Sequence, residues 1–365
     1  MKIRGAVLER IGDPPPYERS RPLVIEDLVL DAPGPGEVLV RIEAAGVCHS
    51  DLSVVDGGRP RPVPMLLGHE GSGLVEARGE GAVLPLGQRV SITFLPRCGA
   101  CAGCATHGVR PCIPGSAANA AGDLIGGGSR LHRGQERVNH HLGASVFATH
   151  AVIDERSLVP VGPDVPPTVA ALLGCAVLTG GGAVVNVSPP GPGSTVAVVG
   201  LGGVGLAAVL AAAACPDVRV VAIDPLESKR ASALACGADT VLAPESAADV
   251  GADLVIEAAG TIPAFETAVA ATGPGGTTVT VGLPAADASA RISPLALVAQ
   301  GRSIVGSYLG SAVPRRDIPR FEQMWREGRL PVERLVSDVI GLDEINSAMD
   351  RLREGTALRQ VVVAE

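Results

Sequence analysis

The sequence predicts an α/β protein with two domains, one of them mostly β and the other built on a parallel sheet. Short β-branched runs separated by Gly and Pro dominate residues 1–150, which is typical of strands joined by tight turns. From about residue 177 to residue 310, strand-like and helical segments of about ten residues alternate, and this alternation indicates parallel βαβ units. The length of 365 residues fits two or three domains.

Each element follows from a local pattern. In the β-rich region we expect strands at residues 37–44, 73–77 and 88–94. In the alternating region we expect strands at residues 195–199, 219–223, 254–257 and 277–281, and helices at residues 204–214, 227–236 and 264–272. Near the end, Ile345, Ala348, Met349 and Leu352 fall on one face of a helix that Gly355 ends. A final strand is expected at residues 358–364.

Composition excludes several classes of protein. Hydrophobic residues make up 46% of the chain and charged residues 19%, so the chain can bury a large core and does not resemble a disordered protein. The formal net charge is −8, and an acidic chain without a basic stripe argues against nucleic acids and anionic membranes as partners.

The N-terminal segment and the cysteines indicate the cellular compartment. The segment MKIRGAVLERIGDPPPYE carries charges where a signal peptide needs an apolar core, so we expect a cytoplasmic protein. Residues 195–215 are uncharged and long enough to span a bilayer, but their glycines favour a strand, a turn and a helix of a globular domain. Eight cysteines in a cytoplasmic chain are more often metal ligands or reactive groups than disulfides.

A glycine motif predicts a dinucleotide site. Gly200, Gly202 and Gly205 fit G-x-G-x-x-G, together with Gly203 and Val204 between them. The motif follows a predicted strand and opens a predicted helix, so the free N–H groups of the first helical turn can bind phosphates. The domain is therefore expected to have the Rossmann fold. The alternative is a glycine turn in an α/β domain without a nucleotide.

The end of the next strand indicates which dinucleotide binds. Asp224 ends that strand, and a carboxylate there hydrogen-bonds the adenosine ribose and repels a 2′-phosphate. This favours NAD over NADP. Lys229 and Arg230 follow closely and leave NADP open, so Lys229 is counted among the candidate cofactor contacts.

Two groups of cysteines point to metal ions. Cys98, Cys101, Cys104 and Cys112 lie close together in the sequence, and four thiolates in one loop suit a structural zinc ion. The alternative is a redox-active thiol cluster. Cys48, His69 and Cys175 lie far apart; two thiolates and one imidazole would suit a catalytic zinc ion with an open fourth position. The alternative for each is a buried Cys or a surface His.

The sequence resembles the zinc-dependent medium-chain alcohol dehydrogenases, in particular their liver-type and glutathione-dependent branch. The motifs that carry the resemblance occur in family order from about residue 5 to the C-terminus: GVCHSD, GHEGSG, the four-cysteine loop, GC at 174–175, GLGGVG and ALRQVVV. The resemblance implies a catalytic domain of the GroES-like, mostly β type at residues 1–176 and 311–365. An NAD-binding Rossmann domain would occupy residues 177–310. It also implies a homodimer, formed through the edge strand at residues 302–308.

The resemblance also assigns roles to individual residues. Cys48, His69 and Cys175 match the ligands of the catalytic zinc ion, Asp51 the carboxylate that orients the zinc-bound histidine, and Glu70 the carboxylate behind the metal. Ser50 matches the hydroxyl that takes the proton of the substrate alcohol. The cofactor contacts are expected at His49, Thr179, Gly200, Gly202, Gly203, Val204, Gly205, Asp224, Lys229, Leu283 and Arg359. The substrate pocket is expected at Ser50, Phe94, His141 and Leu309.

The sequence departs from the family pattern at several positions. Ser53 stands where liver-type members have a proton-relay histidine, and Ile113 begins the segment where the glutathione-dependent branch has an anion-binding arginine. His141 replaces an aromatic residue of the substrate channel. Arg59 and Arg61 lie in a segment that reaches the mouth of the pocket in relatives, although a solvated surface loop is the favoured explanation for both.

The sequence therefore predicts an enzyme with two zinc ions per chain that interconverts an alcohol and its aldehyde or ketone by hydride transfer to or from NAD. A formaldehyde dehydrogenase that acts on the adduct of a thiol other than glutathione is one alternative. A protein that binds zinc and nucleotide without catalysis is another. The partner is expected to be a small molecule.

Overall fold

The computed structural model describes residues 1–363, and these fall into two compact units. The first contains residues 1–175 and 336–363, and the second contains residues 176–335. The second unit runs further toward the C-terminus than the cofactor domain expected at residues 177–310. The reason is that the helix Pro314–Arg326 and the turn Val332–Leu335 pack on helices of that unit.

The N-terminal part of the first unit is mostly β, as predicted. Its strands are β1 (Lys2–Leu8), β2 (Leu23–Leu30), β3 (Glu37–Gly46), β4 (Met65–Leu66), β5 (Glu70–Arg78), β6 (Arg89–Ile92), β7 (Leu131–Arg133), β8 (Glu136–His140), β9 (His150–Asp154) and β10 (Leu158–Pro160). Its helices are α1 (Tyr17–Ser20), α2 (His49–Val55), α3 (Ile113–Ala121) and α4 (Pro167–Leu172). The three strands predicted in this region correspond to β3, β5 and β6.

The second unit contains the alternating elements. Its strands are β11 (Thr195–Val199), β12 (Arg219–Ile223), β13 (Thr240–Leu242), β14 (Ala252–Glu257), β15 (Thr272–Thr280) and β16 (Ser303–Gly306). Its helices are α5 (Leu178–Gly182), α6 (Gly203–Ala213), α7 (Glu227–Ala235), α8 (Ile262–Ala271), α9 (Pro294–Gln300) and α10 (Pro314–Arg326). The strands form one parallel sheet in the order β13-β12-β11-β14-β15-β16. The predicted βαβ architecture is confirmed.

The C-terminal segment returns to the first unit with β17 (Val336–Ile340), α11 (Ile345–Glu354) and β18 (Arg359–Val363). Gly355 ends α11 in the left-handed conformation with φ of 72°, as its position after the apolar face predicted. The last residue of the predicted final strand, position 364, lies outside the described residues.

The first unit has two sheets. Strands β1, β2, β7, β8 and β4 close into a small barrel, and a larger sheet has the order β10-β6-β5-β3-β18-β17, with β9 also paired to β3. Buried side chains of β3, α2 and α11 share one core that includes Tyr17, Phe147 and Met349. This core fixes the end of β3 and the start of α2, from which the candidate site is built.

The helical segment Pro167–Val187, which includes α4 and α5, is the one helix of residues 1–363 that is long and apolar enough to cross a membrane. In the structure, 94% of its most apolar 18 residues are buried. Helices of protein cores share this length and composition. The uncharged segment at residues 195–215 instead forms β11, the glycine turn and α6.

Candidate metal and cofactor sites

Three predicted zinc ligands converge in the interior of the first unit. Possible ligand atoms of Cys48, His69, Glu70 and Cys175 lie within 4.8 Å of one another, and all four residues are buried. The Sγ atom of Cys175 is 3.5 Å from Nε2 of His69. Two thiols and one imidazole nitrogen at this spacing are the donor set that zinc prefers, so the residues fit the metal that the sequence implied. We call Cys48, His69 and Cys175 the buried group.

Local backbone geometry brings these residues together. His69 follows Gly68, whose φ of +89° lets the chain turn against Phe147. Cys175 follows Gly174, where a Cβ atom would lie 2.0 Å from the carbonyl oxygen of Ile92. Only glycine permits that approach of the helical segment to β6. A turn at Gly68 and a close contact at Gly174 therefore bring His69 and Cys175 together.

Asp51 connects the members of the buried group. Its Oδ2 accepts a hydrogen bond of 3.1 Å from the backbone N–H of Cys48, and its Oδ1 lies 2.9 Å from Nδ1 of His69. Burial raises the pKa of this carboxyl, but the rings of His69 and His141 outweigh burial and lower the pKa to about 2. The carboxylate therefore stays ionised and turns Nε2 of His69 toward the sulfur atoms, which is how such carboxylates support metal-binding histidines.

Charges near Cys48 favour its thiolate. A hydrogen bond from the Cys175 thiol lowers the pKa of Cys48, and the guanidinium of Arg359 lowers it further. The same pairing raises the pKa of Cys175. Arg359 is itself buried, with Nη1 3.1 Å from Oε2 of Glu70 and from the carbonyl oxygen of Val47. Burial raises the pKa of Glu70 to about 7.

The four-cysteine loop forms a second donor set, which we call the lobe. Sulfur atoms of Cys98, Cys101, Cys104 and Cys112 lie within 4.8 Å of one another. Backbone N–H groups of Ile113 and Cys104 each lie 3.4 Å from the sulfur of Cys101 and lower its pKa to about 6. Burial raises the pKa of Cys112 to about 12. Four thiols fit one tetrahedral metal ion.

In the second unit, the glycine motif has the predicted shape. Gly200 has a φ of +90°, and a Cβ atom on Gly205 would lie 1.8 Å from the carbonyl oxygen of Gly200, so both positions require glycine. A Cβ atom on Gly202 would meet nothing within 4 Å, which leaves room for a ligand. The helix α6 begins at Gly203, and Val204 is in its first turn.

Asp224 lies beside this turn at the end of β12. Its Oδ2 accepts a hydrogen bond of 2.8 Å from the N–H of Leu201, and its Oδ1 accepts one of 2.9 Å from the N–H of Leu226. Each carboxylate oxygen retains a lone pair for a ribose hydroxyl. Arg230 donates to the carbonyl oxygens of Asp224 and Pro225, and Lys229 is half-buried on α7.

The other predicted site residues of the first unit lie near the buried group. His49 is exposed and Ser50 half-buried in the first turn of α2. The rings of Phe94 and His141 contact the His69 ring edge to face, at centroid distances of 5.5 and 5.4 Å. Ser53 does not mimic a relay histidine, because its Oγ donates to the carbonyl oxygen of His49 in its own helix.

The remaining predicted residues belong to the second unit. Thr179 is half-buried on α5, and Leu283 is 49% exposed just after β15. Leu309 is buried in a turn with a φ of +53°. Their roles as cofactor or pocket residues stay predictions, as does the role of Arg359 toward the cofactor.

Comparisons with known proteins establish the family. Residues 34–163 match the alcohol dehydrogenase GroES-like domain, and residues 203–327 match the zinc-binding dehydrogenase family. The geraniol dehydrogenase of Castellaniella defragrans is 38% identical, with 100% of this chain and 98% of that protein aligned. The chain belongs to the zinc-dependent medium-chain alcohol dehydrogenases.

Solved structures of this family confirm the fold. Benzyl alcohol dehydrogenase from Acinetobacter calcoaceticus superposes with a TM-score of 0.91 at 32% identity over all of both chains. Acetophenone reductase from Geotrichum candidum, solved in complex with NAD, superposes with a TM-score of 0.79 at 26% identity over 100% of this chain and 97% of that one. A GroES-like domain and a Rossmann domain are thus confirmed for this medium-chain alcohol dehydrogenase, while its place in the liver-type branch stays a prediction.

Two contacts close to the buried group were not predicted from the sequence. Nδ2 of Asn119 donates a hydrogen bond of 2.7 Å to the carbonyl oxygen of Phe94. Its signal is the one amide in the alanine-rich helix SAANAA. His141 was expected to line the substrate pocket, but no pattern in the sequence indicated that its ring would lie against Asp51.

Proposed function

We propose that this enzyme uses NAD to oxidise primary alcohols whose carbinol carbon adjoins an unsaturated or aromatic carbon, and that it catalyses the reverse reduction. The observation that carries the proposal is the buried group with Asp51 holding His69. The substrate class is supported by the relatives, which include a geraniol dehydrogenase and a benzyl alcohol dehydrogenase. The Phe94 ring, which packs at about a right angle against the His69 ring, supplies an apolar wall suited to such a group.

Each residue of the candidate site would have a separate role in the reaction. Cys48, His69 and Cys175 would hold a zinc ion, which when bound supplies a Lewis acid that makes an alcohol easier to deprotonate. The guanidinium of Arg359 keeps a positive charge near the Cys48 thiol and forms an ion pair with the carboxyl group of Glu70. Ser50, two residues after Cys48, would accept the hydroxyl proton at its Oγ, and NAD when bound would accept the hydride.

The lobe would hold a second zinc ion with a structural role. Its four thiols provide no open position for a substrate once a tetrahedral ion is bound. Two zinc ions per chain are therefore proposed, one in the buried group and one in the lobe. Metal analysis of protein purified without chelator should return about two zinc ions per chain, and a value of one or less would contradict this part of the proposal.

The choice of NAD is supported by Asp224, whose carboxylate stands beside the glycine turn where the adenosine ribose would lie. A 2′-phosphate there would meet a negative charge. We expect Asp224→Gly to narrow the preference for NAD over NADP measured as kcat/KM. Equal kcat/KM values with both cofactors in the unmodified enzyme would contradict the proposal.

A substrate panel tests the proposed substrate class. Geraniol, benzyl alcohol and a saturated primary alcohol of similar size should be compared with NAD. We expect the two unsaturated alcohols to give the higher kcat/KM. Formaldehyde with and without thiols forms the second arm, because turnover that appears only with a thiol would favour the thiol-adduct alternative. Turnover with none of these substrates despite bound NAD would favour a non-catalytic binding protein.

We also propose a homodimer that works in the cytoplasm. The strand β16 ends the parallel sheet, and an open edge normally needs a partner or a cover. The neighbouring helix α9 leaves Leu295 76% exposed and Val298 82% exposed, which supports a partner surface. Light scattering at micromolar concentration should give twice the chain mass, and a monomer would contradict the dimer.

A further inference from the structure

His141 is a buried polar residue that the proposed reaction does not use. Its side chain is 1% exposed, and its Nδ1 lies 3.2 Å from Oδ1 of Asp51. The atom is within reach of that oxygen but is not aligned for a hydrogen bond, so Nδ1 has no hydrogen-bond partner in the described part of the chain. A buried nitrogen without a partner is costly, and Nδ1 of His140 is in the same state. His141 differs from His140 because a carboxylate oxygen lies 3.2 Å from its Nδ1.

The backbone holds the ring of His141 at this place. Its N–H donates a hydrogen bond of 2.9 Å to Oγ of Ser145, and this hydroxyl donates one of 2.8 Å to the carbonyl oxygen of Leu66. Ser145 and Leu142 have φ values of 54° and 52°, a conformation that is unfavourable for residues other than glycine. The loop is therefore held in a strained form that directs His141 toward Asp51.

The same loop is attached to the residues before His69. The N–H of Val146 donates to the carbonyl oxygen of Gly68, and the N–H of Phe147 donates to that of Leu67. Two backbone hydrogen bonds thus hold the loop to the turn that carries His69. The ring of His141 meets the ring of His69 at an angle of 89°, with centroids 5.4 Å apart.

Asp51 can accept a further donor. Its Oδ1 already lies 2.9 Å from Nδ1 of His69, and a carboxylate oxygen has two lone pairs. Nδ1 of His141 approaches the same oxygen, so the two imidazoles share one acceptor. An N–H group at 3.2 Å attracts this oxygen electrostatically even without an aligned hydrogen bond, and so limits the rotation of the carboxylate and, through it, the rotation of the His69 ring.

We propose that His141 is a positioning residue, whose Nδ1 steadies Asp51 and whose ring packs against the ring of His69, so that Nε2 of His69 points toward the sulfur atoms of Cys48 and Cys175. The inference rests on the proposed function in one respect, namely that Cys48, His69 and Cys175 hold a metal ion. An aromatic residue at position 141 would supply the ring contact but not the donor.

Three substitutions at position 141 separate the effect of the Nδ1 donor from the effect of ring packing on His69. His141→Phe keeps a ring without a donor. His141→Asn places an amide nitrogen near the position of Nδ1, whereas His141→Gln carries its amide further out, near the position of Nε2. His140→Gln is the matched control, because His140 is also buried in the same segment but its Nε2 accepts the N–H of Arg130, a bond that a glutamine carbonyl can replace.

The measurement is cobalt(II) binding to metal-free full-length protein. Affinity is followed by competition with a chelator, and the visible absorption bands of the bound ion report its ligand geometry. Partners of metal-binding histidines typically contribute about 10–100-fold to metal affinity. We expect His141→Phe and His141→Gln to lose about 10-fold in affinity at the buried group and to shift its absorption bands. His141→Asn should recover most of both, and the lobe should be unchanged in every variant.

The outcomes distinguish the inference from the proposed function. Wild-type affinity and wild-type absorption bands in His141→Phe would overturn the positioning role. An equal loss in the Asn and Phe variants would also overturn it, because packing alone would then explain the effect. If the unmodified protein binds no cobalt through Cys48, His69 and Cys175, the proposed function itself fails. Circular dichroism of each metal-free variant verifies folding. If His141→Phe does not fold, the comparison of His141→Gln with His141→Asn decides instead.

Discussion

The buried group and the lobe use the same sulfur chemistry in opposite ways. The lobe takes four thiols from one loop, and three of them are partly exposed. Backbone N–H groups point at its sulfur atoms. The buried group takes its ligands from three distant places in the chain and surrounds them with charged side chains. Under the proposed function, the four thiols of the lobe would close around a metal ion, whereas the three ligands of the buried group would leave one position open for the substrate.

The largest expected effect tests whether chemistry is confined to the buried group. Cys175→Ser removes one of the three proposed metal ligands, so we expect a loss of activity at least as large as the upper end of the about 10²–10⁴-fold contributed by a general acid–base group. The metal content should fall by one ion per chain, with little change in melting temperature. Cys236→Ser is the control, since Cys236 is a buried thiol outside both groups. Substantial activity in Cys175→Ser would contradict the assignment of catalysis to the buried group.

The second prediction concerns Ser50. Its hydroxyl should relay the proton of the substrate, and such groups contribute about 10²–10⁴-fold. We therefore expect Ser50→Ala to lower kcat by that range while the metal content stays full. Ser53→Ala, three residues further along α2, should change kcat by less than about twofold, because its hydroxyl donates to the carbonyl oxygen of His49 within the same helix. Nearly full activity in Ser50→Ala would show that another group carries the proton.

The third prediction tests the structural role of the lobe. Cys101→Ser removes one of four thiols, and structural zinc ions contribute directly to folding. We expect the free energy of unfolding to fall by about 3–5 kcal/mol, among the larger effects of single substitutions. The activity of the molecules that remain folded should fall much less than in Cys175→Ser. Denaturant titration and specific activity measure the two quantities, and unchanged stability would contradict the structural assignment.

These two groups also differ in how far the sequence predicted them. The spacing of Cys98, Cys101, Cys104 and Cys112 indicates a metal site without further information, because a short loop must bring its cysteines together. The strands at 195–199 and 219–223 were likewise predicted with the observed bounds, because their apolar runs are bounded by turn residues.

The buried group could not be derived from spacing alone. Cys48, His69 and Cys175 meet because β3 ends, β5 begins and the segment around Gly174 approaches β6 at the same place. No local pattern carries that information, so only the family resemblance indicated the set. The contact between His141 and Asp51 depends on a strained loop, and strain of that kind has no sequence signal in non-glycine residues.

A smaller effect is expected in the pH dependence of thiol alkylation. In metal-free protein, the N–H groups around Cys101 lower its pKa to about 6, so its reactive thiolate predominates at pH 7. Below pH 6 the thiol is protonated and its alkylation rate should fall about tenfold per pH unit. Cys175, whose pKa is raised, and Cys112, whose pKa is about 12, should stay unmodified at pH 7. Mass spectrometry of peptides after iodoacetamide treatment measures this, and faster labelling of Cys175 would contradict it.

The smallest effect concerns one physical link between the lobe and the buried group. The helix α3 begins directly after Cys112, and its Asn119 donates to the carbonyl oxygen of Phe94, whose ring contacts His69. Asn119→Ala leaves that buried carbonyl without its donor, which costs about 1–3 kcal/mol. We expect lower stability and a KM raised a few-fold at nearly constant kcat, because the apolar wall shifts while the metal ligands stay in place. Ser116→Ala on the same helix is the control. If Asn119→Ala lowers stability without changing KM, the lobe and the buried group act independently, and α3 only supports the fold.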